Sequence, residues 1–485
     1  MKLTDTAQYL ALVRNAFNKD IVPDLQSPGA KNAAELINVV LADLARRATS
    51  LPSCLHEANA RGEHIVTEMR TALADGGSTA PATSLPEEMP SADFDAAAAR
   101  FANLCADLAA LGAKLRDRPA FSELTRKAAL WESQAHTAFL NLVPPPVEAS
   151  EVKDPLPARA LEDYMRGLHP FGSKLRLASL DRLPGGFGKQ TYLAEIEDGA
   201  NGRESLVIRK NDRNPLSTYR SFRMNREFHL LKIVSETGFP APAPLWFGEQ
   251  VPGADAEFMV MKKMPGRMIG TFMEGTNAIP EKQILDMAEL LARLHNIELE
   301  RFSDLIHRFD DPALLTDTVE DYMRRSLRSW REYAGATGYL PSPAFDYLLG
   351  WLESNVPADR RRPALVHGDF SIHNLLGDAN RISAVLDWEG SLFGAPELDL
   401  AYLKPAVSQH FDWHRFIEHY LRCGGRAPML ETLDYYLAFN NMRISLTLSK
   451  GVSNLQERIS NDIRLVMFEL GIVPKVMGHA MTITV

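Results

Sequence analysis

Cysteine is scarce in this sequence. Cys54, Cys105 and Cys423 are the three in 485 residues. They are too few and too scattered for a disulfide framework or a thiolate metal site, and such a chain suits a reducing compartment. A cytoplasmic protein is the expectation. Long apolar runs are missing as well: no uncharged apolar stretch reaches the roughly 18 residues that a membrane helix needs. The opening MKLTDTAQYLALVRNAF also lacks the unbroken apolar core of a signal peptide. No membrane partner is expected. Nor is positive charge in excess, since 53 Lys and Arg stand against 62 Asp and Glu, for a net charge of −9. A nucleic-acid partner is not expected either, because such proteins carry a basic domain or stripe.

Two phosphate-binding patterns are also absent. The stretch Pro184, Gly185, Gly186, Phe187, Gly188, Lys189, Gln190 fails the Walker A pattern, because position 183 is Leu and Lys189 is followed by Gln190. It fails G-x-G-x-x-G too, with Thr191 after the last two glycines. What remains is a glycine-rich turn between two β-like segments, Leu175 to Leu183 and Thr191 to Glu197. Glycines let backbone amides approach phosphate oxygens with no Cβ in the way. Gly185, Gly186 and Gly188 are therefore candidates to lie over a nucleotide, with an ordinary hairpin turn as the alternative.

The length predicts two or three domains, at about 100 to 200 residues each. Residues 1 to about 142 read as helical throughout. Ala34, Ile37, Val40, Leu41 and Leu44 recur at helical spacing, as do Phe101, Leu104, Cys105, Leu108 and Leu111. Two further helical segments cover roughly His56 to Leu73 and Phe121 to Leu142, and Gly76 to Ser91 reads as a loop. A four-helix accessory bundle is the expectation. Its lone histidines, His56, His64 and His136, read as surface or packing residues. The bundle is a candidate dimerisation surface or cleft cover, and the sequence does not choose. Pro144 to Pro146, then Pro155 and Pro157, mark a stiff linker over residues 143–157.

The chemistry-bearing stretch is LVHGDFSIHNLLGDANRISAVLDWEGSLFGAPELDL, Leu365 to Leu400. His367, Gly368, Asp369 and Asn374 follow one apolar run, and Asp387, Trp388 and Glu389 follow another. Segments flanking Gly377 to Asn380 read as a hairpin, which would let the two acidic ends meet. Phosphoryl transfer needs such an inventory, because its transition state is loose and catalysis is mostly positioning and charge neutralisation. One carboxylate would orient or deprotonate an acceptor hydroxyl, and a carboxylate with an amide oxygen would hold Mg²⁺, which prefers hard oxygen ligands. Asp369, Asp387 and Asn374 can fill those roles. The spacing from Asp369 to Asn374 is the D-x-x-x-x-N of the kinase catalytic loop.

The segment resembles the aminoglycoside phosphotransferase (APH-like) family of small-molecule kinases. HGDFSIHN resembles its catalytic loop, LDWE its metal-binding turn and GAPELDLAYL its downstream G-D-P-x-x-D-L segment. Ala395 stands where the family usually has Asp, which puts a local hydrogen bond in doubt. The resemblance covers roughly Leu168 to Leu448 and is nearest to the branch linked to acyl-CoA dehydrogenases. It implies an α+β protein-kinase-like two-lobe fold, with a small antiparallel β lobe over 158–264 and a larger helical lobe over 265–485, behind the N-terminal all-helical domain. ATP and Mg²⁺ are the implied cofactors.

By that resemblance Asp369 is the catalytic base, Asn374 and Asp387 are the metal ligands, and Asp399, with His367, supports the loop. Arg209, ending the strand Ser205 to Arg209, stands where kinases place a phosphate-contacting lysine, and Lys210 is the second choice. Glu227, on an amphipathic helix with Phe228, Leu231 and Val234 inward, is expected to pair with Arg209. Backbone groups from Met261 to Lys263 would read the base, and Gly266 would open the larger lobe. His295 reads as packing, and Arg443 as either a cleft residue or a solvent-exposed one. The implied acceptor is a small-molecule hydroxyl, a hydroxyacyl-CoA or hydroxy acid ahead of an aminoglycoside or of a choline- or homoserine-type substrate. A non-catalytic nucleotide-binding scaffold is the rival of another class.

Overall fold

A computed structural model describes residues 10, 13–14, 17–49, 51–74, 94–116, 121–139, 156–167, 174–183, 189–198, 202–212, 217–250, 256–270, 279–336, 342–378, 381–456, 465 and 468–484. Gly185, Gly186 and Gly188, the loop Gly76 to Ser91, and Pro144 to Pro146 and Pro155 of the linker lie outside these residues.

In chain order the first helices are α1 Pro28–Arg47, α2 Leu51–Ala74, α3 Phe94–Leu115, α4 Phe121–Phe139 and α5 Ala158–Arg166. Three strands follow, β1 Arg176–Arg182, β2 Lys189–Asp198 and β3 Gly202–Asn211, and then α6 Met224–Glu236. Next come β4 Pro244–Gly248, β5 Phe258–Lys262, β6 Arg267–Met268, α7 Glu281–His295, α8 Ser303–Phe309, α9 Val319–Ala336 and α10 Pro343–Ser354. The short strands β7 Ala364–Val366, β8 Leu375–Gly377, β9 Ile382–Val385 and β10 Leu392–Gly394 precede α11 Glu397–Ser408, α12 Trp413–Arg422, α13 Leu433–Gln456 and α14 Val473–Thr484.

The chain forms two compact units. One comprises Met1–Pro145, Trp330–Asn355 and Asn441–Val485; the other comprises Pro146–Ser329 and Val356–Asn440. The sequence division put everything after residue 264 in one lobe, whereas two stretches of that lobe pack with the N-terminal helices. The reason is visible in α10, where Phe345, Leu348, Leu349 and Leu352 are buried, and in α14, where Met477, Ala480 and Met481 are buried. Both helices pack on α4 within the helical unit. Glu132 of α4 accepts from the Ser342 hydroxyl and the Ala344 amide, each at 2.8 Å, so it closes the N-terminus of α10. The core of this unit joins Leu55, Met69, Leu104, Leu108 and Trp131, whose indole donates to the Ala58 carbonyl at 2.7 Å.

In the second unit the expected small antiparallel lobe is a five-stranded sheet in the order β1-β2-β3-β5-β4. Its buried face, with Ala194, Ile196, Leu206, Ile208, Phe258 and Val260, packs under Leu161 and Met165 of α5. Strand side chains alternate between faces, so Lys210 joins Leu206 and Ile208 in that interior, fully buried, and Arg209 points the other way. Of the two candidate cations, the pleat sends only Arg209 toward Glu227. Helix α6 is anchored by its neighbour Arg226, which donates to Asp310 at 3.0 Å and to the Ser391 carbonyl at 3.0 Å while fully buried.

Two small sheets build the larger lobe's working edge. β7 pairs with β10, and β6, β8 and β9 form a three-stranded antiparallel sheet. The hairpin read around Gly377 is therefore β8 with β9, and the strand that delivers His367 pairs elsewhere. Arg443 lies in the α13 portion assigned to the helical unit and is 5 % exposed, so the solvent-exposed reading does not hold.

Candidate active site

The register of β8 against β9 sets the site. Leu375 lies opposite Val385, and the Leu386 amide donates to the Asn374 carbonyl at 2.8 Å, so the residues just before β8 and just after β9 are neighbours. Asn374 and Asp387 thus belong to adjoining loops. The Asn374 side-chain amide donates to the Asp369 carbonyl at 3.0 Å and to its carboxylate at 2.9 Å. The side-chain oxygen is the atom of Asn374 that could accept a hard cation.

Gly368 permits the close approach of the two loops. Its φ is +76°, and a Cβ there would collide with the Gly390 carbonyl oxygen just after Glu389. Asp387 is the one non-glycine among the described residues at positive φ, with φ 62° and ψ 62°. That conformation costs an ordinary residue about 1–2 kcal/mol, and it is held by Trp388. The Trp388 indole is buried, donates to the Val385 carbonyl at 2.8 Å and packs at 4.8 Å from the His367 ring.

A buried carboxylate braces the catalytic loop from beneath. Asp399, at the start of α11, accepts from the His367 amide and the Gly368 amide, both at 2.8 Å. Its carboxylate also lies 3.2 Å from His295 Nε2, and His295 Nδ1 is 3.0 Å from the Tyr420 hydroxyl. Burial would raise the Asp399 pKa, but these hydrogen bonds and the His295 and His367 rings hold it below the usual range. His295 is thus more specific than the packing residue it reads as. His367 accepts from the Asp369 amide at Nδ1 and donates from Nε2 to the Leu386 carbonyl at 2.9 Å, and burial lowers the pKa of the ring despite the Asp399 and Asp369 carboxylates.

Above these loops lies a knot of charge. Arg209 donates to Glu227, to Asp387 at 2.9 Å and to Glu389 at 3.2 Å. Lys189 Nζ reaches Glu227 at 2.6 Å and Glu389 at 2.8 Å. Glu227 is fully buried and Lys189 6 % exposed, while the Asp387 side chain is 39 % exposed. Desolvation by the protein packed around it, then the Glu389 carboxylate, pushes the part-exposed Asp387 carboxyl above its usual range despite Arg209. Burial acts on Glu389 in the same sense, but Lys189 and Arg209 override it and hold that carboxyl low.

Met261 lies within the sheet, in register with Val207 and Pro244. Lys263 is exposed just beyond the end of β5. Sequence reasoning missed Lys189 and Glu389 as site residues. A lone lysine after a glycine-rich turn carries no local signal, and only the β2–β3 register, with Thr191 opposite Arg209, shows that Lys189 and Arg209 share a face.

The donor set suits a hard cation. Among the described residues no three His, Cys, Asp or Glu side chains gather to hold a metal unaided. Mg²⁺ is usually bound by one or two protein oxygens, with waters and phosphate oxygens completing its shell, and Asn374 with Asp387 supplies that pair.

This arrangement is that of a phosphotransferase with a kinase-like two-lobe fold, and the chain belongs to the phosphotransferase enzyme (APH) family, whose model matches residues 179–436, just over half of it. Its relatives include acyl-CoA dehydrogenase family member 11 of Gallus gallus, 30 % identical over an alignment of 278 residues that covers 52 % of this chain and 34 % of that protein. The hygromycin-B 4-O-kinase of Escherichia coli is 41 % identical over 58 residues, 12 % of this chain and 16 % of the kinase. Among solved structures, the macrolide 2'-phosphotransferase of Brachybacterium faecium aligns with a TM-score of 0.41 at 17 % identity, covering 64 % of this chain and 97 % of its own. The chain spans about a third of the length of the first of these relatives. No described helix is long and apolar enough to cross a membrane.

Proposed function

We propose that this chain transfers the γ-phosphoryl group of ATP to a hydroxyl of a small molecule at the junction of the catalytic loop and the Asp387 turn. The observation that supports the reading is the tie between those loops, in which Asn374 bonds the Asp369 carboxylate and its carbonyl accepts from Leu386, the residue before Asp387. Asn374 and Asp387 would hold Mg²⁺, which supplies charge neutralisation of the phosphates when bound. Arg209 is suited to grip phosphate oxygens in a fork and never deprotonates. Asp369 accepts the proton of the acceptor hydroxyl as its oxygen attacks the γ-phosphorus. The bond from that phosphorus to the β,γ-bridging oxygen breaks, and nucleoside diphosphate leaves. Asn374 aims the Asp369 carboxylate, and Asp399 fixes the loop that carries it.

For the acceptor we favour a hydroxylated acyl compound, such as a hydroxyacyl-CoA or hydroxy acid. The support is the run of relatives named for acyl-CoA dehydrogenases. An aminoglycoside is the lesser choice, because a polycation would want a dense acidic surface, and the region Phe411 to Arg426 carries mixed charge. The test is turnover of ATP with Mg²⁺ against hydroxyacyl-CoAs, hydroxy acids, choline and aminoglycosides, reading the phosphorylated product. Transfer to one class is expected. No transfer and no ATP hydrolysis across the whole panel would favour a nucleotide-binding scaffold instead.

A further inference from the structure

Two cations and three carboxylates meet above the catalytic loop, and they are not interchangeable. Lys189 reaches Glu227 and Glu389; Arg209 reaches those two and Asp387 as well. The two cations take different oxygens of Glu227, Lys189 on Oε2 and Arg209 on Oε1, and meet on the same Oε2 of Glu389. Glu227 is fully buried, so stripping it of its cations would leave a desolvated carboxylate unpaired, which is strongly unfavourable. A lysine ammonium is a compact charge with three donors on a flexible stem, suited to staying on two acceptors at once. Arg209, in contrast, sits on the carboxylate that a divalent ion would need.

We propose that Lys189 is a positioning residue that keeps Glu227 and Glu389 satisfied, so that Arg209 can exchange Asp387 for the nucleotide's phosphates. Without Lys189, Arg209 is the remaining cation on both glutamates and is held off the phosphates. The inference rests on the phosphotransferase reading, and it gives the two cations separate duties: Lys189 stays, and Arg209 moves. β2 and β3 are adjacent strands in continuous register from Lys189–Asn211 to Asp198–Gly202, so Lys189 is delivered by a rigid ladder.

The test is the affinity for Mg–ADP of the full chain, by equilibrium titration, with melting temperatures recorded for each variant. Lys189→Met is expected to weaken binding about 10- to 100-fold, as loss of a charge-assisted contact does. Lys189→Arg is expected to regain most of it. In a Glu227→Gln, Glu389→Gln background, where neither position holds the guanidinium as an ion pair, Lys189→Met should change affinity by no more than about twofold. If Lys189→Met alone melts below the assay temperature, Lys189→Met in that background and Lys189→Arg decide: a change above about twofold in the first, or a loss of about tenfold or more in the second, would overturn the positioning role. Should Lys189→Met weaken binding equally in both backgrounds, Lys189 touches the nucleotide itself and the positioning role is wrong. Should Lys189→Met bind like the wild type, it is wrong as well. If the wild-type chain binds no Mg–ADP, the phosphotransferase reading falls and takes this inference with it.

Discussion

Asp387 adopts a left-handed backbone that glycine would occupy at little cost. Residues hold such conformations where the surroundings over-determine them, often at working sites, and Trp388, Arg209 and the close-packed Gly368 are those surroundings here. Gly368→Ala is expected to force the catalytic loop away from the Gly390 carbonyl, lowering stability by on the order of 1–3 kcal/mol and weakening Mg–ADP binding; thermal melting and titration check both. Asp369→Asn is expected to cut turnover by roughly 10²- to 10⁴-fold while nucleotide affinity stays within a few-fold. Wild-type turnover in that variant would refute the role of Asp369. Asp369, Asn374, Asp387 and Asp399 were legible in the sequence because they fall within one short stretch with motif spacing. Lys189 and Glu389 were not, because their partnership depends on strand register and on a helix far away in the chain.

Among elements, period-2 and period-3.6 patterns placed most strands and helices to within a few residues, as in β3 and α6. Pairing was harder to read. The strand ahead of His367 pairs with β10, although the hairpin turn at Gly377 is the nearer signal. The contact between α4 and α10 is another case, since Glu132 looks like any helical glutamate in the sequence. Burial pushes its carboxyl up to about 7, outweighing the hydrogen bonds from Ala344 and Ser342, with Asp346 nearby adding to the rise. A carboxyl whose pKa is higher in the folded chain binds more protons there than when unfolded. Its contribution is therefore fully present below the ordinary carboxylate pKa and is lost as pH rises to about 7. Denaturation midpoints measured across that range should show wild-type stability, relative to Glu132→Gln, falling as pH rises. A difference independent of pH would contradict this.

For the whole molecule, the sequence made the N-terminal helices an independent bundle ending near residue 142, whereas the helical unit also draws on Trp330–Asn355 and Asn441–Val485. Nothing in the local pattern of α10 or α14 says which core their apolar faces join. A fragment ending at residue 145 would leave the α4 surface that meets α10 and α14 uncovered. Such a fragment is expected to unfold non-cooperatively and to bind a hydrophobic dye, and adding residues back only through 355 should not restore a sharp transition; circular dichroism melts read both. A cooperative fragment would show that the N-terminal helices suffice. Whether two neighbouring loops share one ion and one nucleotide tail is read from the electron paramagnetic resonance of Mn²⁺ titrated into the chain with ADP. One tightly held Mn²⁺ is expected for the wild type and for Asp369→Asn, and loss of it for Asp387→Asn and for Asn374→Ala. Undiminished Mn²⁺ binding in the Asp387 and Asn374 variants would show that these two side chains do not hold the ion.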